Sequence, residues 1–149
     1  MVTLVSPPGR RPQFREEPSR RCPWRKDAPL GAFPAQVFRY SAATCYDLAL
    51  RTFGCHACDR TDPATCAGFL LSGAAHNLQV RLWLARGVPL WRIRKPTGVE
   101  LYDNYRQMAV ANGVDPDDPA LDLCRDDSAV IYRRPERRHA PPRGRESAR

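Results

Sequence analysis

FGCHACDRTDPATCAGFLL, residues 53–71, is the stretch on which the fold turns. It places Cys55 and Cys58 two residues apart around His56, crosses an Asp- and Pro-containing segment without hydrophobic period, and reaches Cys66 just before a helical pattern. Two residues between cysteines let one tight turn aim both sulfurs at a single ion, and a tetrahedral ion then needs two more ligands from elsewhere. Cys66 lies on the same loop, and Cys22, in Cys22-Pro23-Trp24-Arg25, can be brought in from an N-terminal turn. Four thiolates would close such a site and make it structural. His56 can supply a nitrogen instead, although a turn that points Cys55 and Cys58 inward tends to turn His56 outward.

The expected ligands are therefore drawn from Cys22, Cys55, Cys58, Cys66 and His56, with zinc as the metal for mixed Cys/His surroundings. A Cys-x2-Cys pair also serves thiol redox chemistry, but there the first cysteine usually opens a helix. Here Asp59-Arg60-Thr61-Asp62-Pro63 follows, a loop composition that favours metal. An iron-sulfur cluster accepts the same four cysteines and stands as the alternative cofactor. Cys45, on the apolar side of a helix, and Cys124 are expected to fill space. His76, ten residues after Cys66, is either a further ligand or a histidine satisfied by an ordinary hydrogen bond.

Outward from the loop, Leu71, Ala75, Leu78, Leu82 and Ala85 share one helical face and predict a helix over 68–85, stopped by Gly87. Upstream, Val37, Ser41, Thr44 and Leu48 recur at three- and four-residue intervals after Pro34, predicting a helix over 34–52 with an interruption near Ser41. Leu101, Tyr105 and Met108 mark another over 98–111, closed by Asn112-Gly113, and Val88–Lys95 reads as a short strand or extended connector. The expected fold is thus mainly α: a small irregular metal-stabilised domain over 19–132, with disordered basic N- and C-terminal arms at 1–18 and 133–149.

The net charge of +8 sits at the ends: residues 1–26 and 133–149 carry +5 each, while 27–132 carry −2. The expected partners are accordingly a nucleic acid or an acidic protein, held through the arms in a salt-sensitive way. MVTLVSPPGRR is too short in apolar residues for a signal-peptide core and no window approaches a membrane span, so a cytoplasmic location without membrane association is expected. Six cysteines in a reducing compartment point to metal, redox chemistry or burial instead of a disulfide framework. There is no G-x-S-x-G, no H-E-x-x-H and no phosphate-binding glycine loop, so a non-enzymatic interaction or regulatory module is the functional expectation. A thiol-redox or iron-sulfur sensor or enzyme is the alternative.

Cys22-Pro23-Trp24-Arg25, Phe53-Gly54-Cys55-His56, Cys66-Ala67-Gly68-Phe69-Leu70 and Val80-Arg81-Leu82 together resemble a family of small proteins from actinobacteria and their phages, known as a domain of unknown function. The family pattern, C-x2-C-P-W-R followed by F-x-C-H and C-A-G, implies cysteines at the positions of Ser19, Cys22, Cys55 and Cys66. This chain departs from it at Ser19, which leaves the fourth ligand to Cys58 or His56. The order Cys22, Cys55-x2-Cys58, Cys66 is also similar in outline to WhiB-like iron-sulfur regulators, but the interval from Cys58 to Cys66 is longer than theirs.

Overall fold

The computed structural model describes residues 3–136. Its regular elements are short: β1 (Thr3–Val5), α1 (Ala35–Ser41), β2 (Arg51–Phe53), α2 (Ala67–Ser72), α3 (Leu78–Ala85) and α4 (Tyr105–Ala111), with single 3-10 turns at Ala42–Cys45, Leu90–Arg92 and Pro119–Leu121. Antiparallel β1 and β2 pair in the register Thr3↔Phe53, Leu4↔Thr52, Val5↔Arg51. Beyond β2 an isolated bridge joins Gly54 to Thr65, held by Cys55 N–H donating to the Ala64 carbonyl and Cys66 N–H donating to the Phe53 carbonyl, both at 2.8 Å.

The expected long helices are broken for identifiable reasons. Ser41 Oγ donates to the Val37 carbonyl and meets Tyr105 Oη at 2.8 Å, and the next turn, Ala42–Cys45, is 3-10. The helix predicted over 68–85 splits into α2 and α3. Gly73 ends the first against the indole of Trp24, and buried Asn77 caps the second, its Oδ1 accepting from Val80 N–H. The helix predicted over 98–111 starts only at Tyr105, where Asn104 Oδ1 accepts from Gln107 N–H. Within Val88–Lys95, Leu90–Arg92 forms a 3-10 turn followed by extended Ile93, so the segment is a connector and not a strand.

Three parts of the expected fold class need correction. The domain is not mainly α, because no α-helix among the described residues exceeds eight residues and turns and extended segments make up most of the chain. Its core is packed around an aromatic cluster. Its centre is Trp24, fully buried, with the rings of Tyr105, Phe53 and Phe69 at 5.6, 5.9 and 6.3 Å. Among the described residues, no three His, Cys, Asp or Glu side chains are already gathered as an ion-binding group.

Nor is the N-terminal segment a disordered arm. β1 is paired, Phe14 bridges to Thr65, Pro18 is buried, and Glu16 and Glu17 pair with Arg92 and Arg94 at 2.7 Å. Pairing of β1, packing of Phe14 against the core and the lining of the cavity by Leu4 outweigh the Pro/Arg composition that suggested disorder. At the other end, Tyr132 Oη donates to the Leu70 carbonyl and Arg134 stacks over Trp91 at 4.9 Å, while the rest of the predicted basic tail, from residue 137 on, lies outside the described residues. No helix among the described residues is long and apolar enough to cross a membrane.

Candidate functional site, a thiol cluster beside an apolar cavity

Strand alternation assembles the site. With Gly54 opposite Thr65, the period of two puts Phe53, Cys55, Ala64 and Cys66 on one face and Thr52 and Thr65 on the other. The Thr52 and Thr65 hydroxyls confirm the register by meeting at 2.8 Å. The Cys22-Pro23-Trp24 turn, tied by Cys22 N–H to the Ser19 carbonyl, is pressed onto this face by Trp24, so that Cys22 Sγ stands 3.4 Å from Cys66 Sγ. Both sulfurs are buried, and both cysteines are free. A disulfide would need about 2.05 Å between sulfurs, whereas thiolates sharing one zinc at about 2.3 Å stand roughly 3.8 Å apart at tetrahedral angles. At 3.4 Å the observed contact is a hydrogen bond between two thiols, longer than a disulfide and shorter than that thiolate spacing.

The pair shares a proton asymmetrically. The hydrogen bond with Cys66, in which either thiol can be the donor, together with the backbone N–H groups of Trp24 and Gly68, holds the Cys22 thiol below its ordinary value despite burial. Cys66 is pushed well above its ordinary value, first by that same contact and then by burial, although the N–H groups of Phe69 and Gly68 point at its sulfur. These amides approach because position 68 is glycine: a Cβ there would lie 2.9 Å from Cys22 Sγ and 2.6 Å from Trp24 Cβ. The sequence pattern marked Cys-Ala-Gly-Phe, but not this contact between Gly68 and Trp24. Its signal was a glycine inside an otherwise apolar helical run.

Cys55 is half-buried, and burial pushes its thiol up to about 11, against the Ala57 N–H; the charges of Cys66 and Cys58 act on it in the same upward direction. Cys58 is half-buried one turn along, its N–H donating to the Cys55 carbonyl. His56 is exposed, as expected of a residue between two inward cysteines. It accepts or donates a 3.0 Å hydrogen bond with Ser19 Oγ, and burial of part of its ring, with Arg21 nearby, holds it below its ordinary value. Ser19, not a predicted ligand, is thereby at the mouth of the cluster. His76 is elsewhere, bonded through Nε2 to Asp127, and Cys45 and Cys124 are packed in the core.

Of the candidate ligands only Cys22 and Cys66 are in contact; Cys55 lies on the same face, and among the described residues no third side chain is gathered with them as an ion-binding group. Cys55, His56 and Cys58 also line a cavity of about 640 Å³. Fold and site together define a small mixed domain of short helices and a β-ribbon closed over a buried thiol pair. The chain belongs to a family of unknown function, DUF6283, whose sequence profile matches residues 14–125 and so spans Ser19, all the clustered cysteines and Cys124. No curated protein and no solved structure matches it.

Proposed function

We propose that the domain is a zinc-binding interaction or regulatory module, not an enzyme, in which Cys22, Cys55 and Cys66 are thiolate ligands and Cys58 or His56 supplies the fourth position. One observation carries this: the Cys22 and Cys66 sulfurs, 3.4 Å apart in an apolar interior, with the backbone amides of Trp24, Gly68 and Phe69 turned toward them. Buried thiolates without a countercharge are costly, and a divalent ion offsets that cost while keeping them deprotonated. Free cysteines in such number suit a reducing, cytoplasmic setting. The exposed arginines of the N-terminal segment and the Arg-rich C-terminus supply salt-sensitive attraction to a nucleic acid or an acidic protein.

Metal analysis of chain purified without oxygen tests the proposal. One zinc per chain is expected, lost in Cys55→Ser and Cys66→Ser and kept in Cys45→Ser and Cys124→Ser. A brown chromophore with iron and sulfide would replace zinc by an iron-sulfur cluster, and no metal at all would reject both. A second possibility rests on the lowered Cys22 thiol beside Cys66: a dithiol that loses two electrons and two protons to a disulfide oxidant such as oxidised glutathione, forming a Cys22–Cys66 disulfide. Mass spectrometry of the metal-free chain after that treatment detects the two-proton loss.

A further inference from the structure

Positive charge lies at the two ends of the chain, and the fold brings both ends to one turn. That turn is Leu90–Arg92, which buries Leu90 completely and leaves Trp91 36% exposed. The N-terminal segment runs alongside it: Arg94 N–H donates to the Glu16 carbonyl at 2.8 Å, and Arg92 and Arg94 pair with the Glu16 and Glu17 carboxylates at 2.7 Å. The C-terminal segment reaches the same turn, where the Arg134 guanidinium lies over the Trp91 ring, 4.9 Å from its centroid.

The C-terminal approach is fixed by α2. A helix ends in carbonyls that its own backbone leaves unpaired. Here Ser128 Oγ donates to the Ser72 carbonyl at 2.7 Å, Val130 N–H to Leu71 at 2.9 Å and Tyr132 Oη to Leu70 at 2.6 Å. Tyr132 is therefore tied down two residues before Arg134. In the sequence from residue 137 on, five arginines and one glutamate follow.

The charge balance of the three segments that meet at Trp91 is positive. Arg15, Arg92, Arg94, Lys95, Arg133 and Arg134 stand against Glu16, Glu17 and Glu136, a net of +3. Glu16 and Glu17 are already committed to Arg92 and Arg94, while among the described residues Arg15, Lys95, Arg133 and Arg134 are exposed and have no carboxylate partner. Cations alone would take any polyanion, and the denser charge of a duplex would be favoured. The exposed indole reverses that preference, because only an unpaired base offers a ring face to stack on it. A base stacks on tryptophan more strongly than an exposed guanidinium does, so it displaces Arg134, which is then free for a phosphate. An acidic polypeptide satisfies the cations and leaves the indole unused.

We propose that Trp91 is the stacking platform of a single-stranded nucleic-acid site, with the cations of the three converging segments on the phosphates. The proposal rests on the reading above in which the basic ends attract a nucleic acid, and it is independent of zinc in the thiol cluster.

Fluorescence anisotropy of the full chain with a labelled oligothymidine of about twelve nucleotides, and with a duplex of the same length, tests this. The single strand is expected to bind about tenfold tighter than the duplex, the reverse of what charge density alone gives. Trp91→Ala should weaken the single strand roughly fivefold or more while leaving the duplex and the salt dependence unchanged, since no phosphate contact is lost. Trp91→Phe should recover part of that loss. A duplex bound as tightly as the single strand, or a Trp91→Ala chain that weakens both alike, overturns the platform. Polyglutamate bound as tightly as the single strand also overturns it and assigns the surface to an acidic protein. If circular dichroism shows that Trp91→Ala does not fold, the strand preference of the parent and the Trp91→Phe chain decide. Binding to neither nucleic acid rejects the attraction of the basic ends altogether, whereas binding without strand preference rejects only the platform.

Discussion

Gly68→Ala sets two ordinary rules against each other. By helix propensity alone, alanine inside α2 stabilises by about 1 kcal/mol relative to glycine. The added Cβ, however, would lie 2.6 Å from Trp24 Cβ and 2.9 Å from both Trp24 Cγ and Cys22 Sγ. None of these atoms is the free end of a flexible chain, and Trp24 cannot retreat because Phe53, Phe69 and Tyr105 surround its ring. Overpacking of a tight core costs about 1–3 kcal/mol, and the upper end applies here. Loss of the Gly68 N–H contact to the Cys22 sulfur adds roughly 1 kcal/mol. The net expectation is a loss of about 3 kcal/mol, or a fall of roughly 9–15 °C in Tm for a domain of this size. Urea unfolding followed by tryptophan fluorescence, with circular dichroism as a second probe, measures it, and zinc affinity should fall in parallel as Cys22 is displaced. Gly87→Ala is the control: its Cβ meets nothing, but φ is +78°, so it should cost about 1 kcal/mol without touching zinc. A Gly68→Ala chain as stable as the parent would refute the close-packing account of how the thiol pair is held.

Asn77→Ala should cost about 3 kcal/mol in urea unfolding, since buried Asn77 donates to the Thr44 and Arg51 carbonyls and accepts from Val80 N–H, at roughly 1 kcal/mol each; a loss under half that would assign Asn77 only a capping role. Ser19→Cys should raise zinc affinity at least tenfold in a chelator competition, and unchanged affinity would remove Ser19 from the mouth of the site. In the metal-free chain, stability should decline as pH rises above 9.0. Burial holds the thiols of Cys45, Cys55 and Cys124 protonated, the last two up to about 11 and about 12, and the contact with Cys22 followed by burial does so for Cys66. Below 9.0 these four keep their protons folded or unfolded; above it the unfolded chain releases them first, so the stabilisation is lost through the folded values, and the lowered Cys22 opposes this as one group against four. Equal urea midpoints at about pH 7.5 and about pH 10.5 would contradict that assignment.

The loop from Cys55 to Cys66 was legible from its composition, but the alternation that puts both cysteines on one face was not, because it is set by the Gly54–Thr65 bridge and leaves no period in the sequence. Helix boundaries were not legible either, because tertiary contacts decide them. Nothing in the periodicity of 68–85 distinguishes one helix from two; the break lies between Gly73, where a Cβ would fall 2.5 Å from the Trp24 ring almost fifty positions away, and Asn77, which caps α3. Composition misled most at the N-terminus, where Pro and Arg concealed that residues 3–5 pair with β2 and that Phe14 packs against the core. The role of Trp24 as centre of the core, not merely an anchor for one turn, also needed the fold, since Phe53, Phe69 and Tyr105 reach it from three separate elements.

The fourth ligand is a question of which side of the site is open. Cys22 and Cys66 face inward, screened by Trp24 and the start of α2, so the remaining positions must come from the cavity side. There the Ser19 hydroxyl and the His56 ring occupy each other at 3.0 Å, and Cys58 lies one turn beyond Cys55. A serine at this point is a weak ligand for zinc, so the imidazole bonded to it would be the nitrogen donor for a fourth position, while Cys58 would offer a sulfur. The two choices predict different losses. If His56 closes the site, His56→Ala weakens zinc and Cys58→Ser does not; if Cys58 closes it, the order reverses, and Ser19 serves only to orient a ring at the entrance to the cavity.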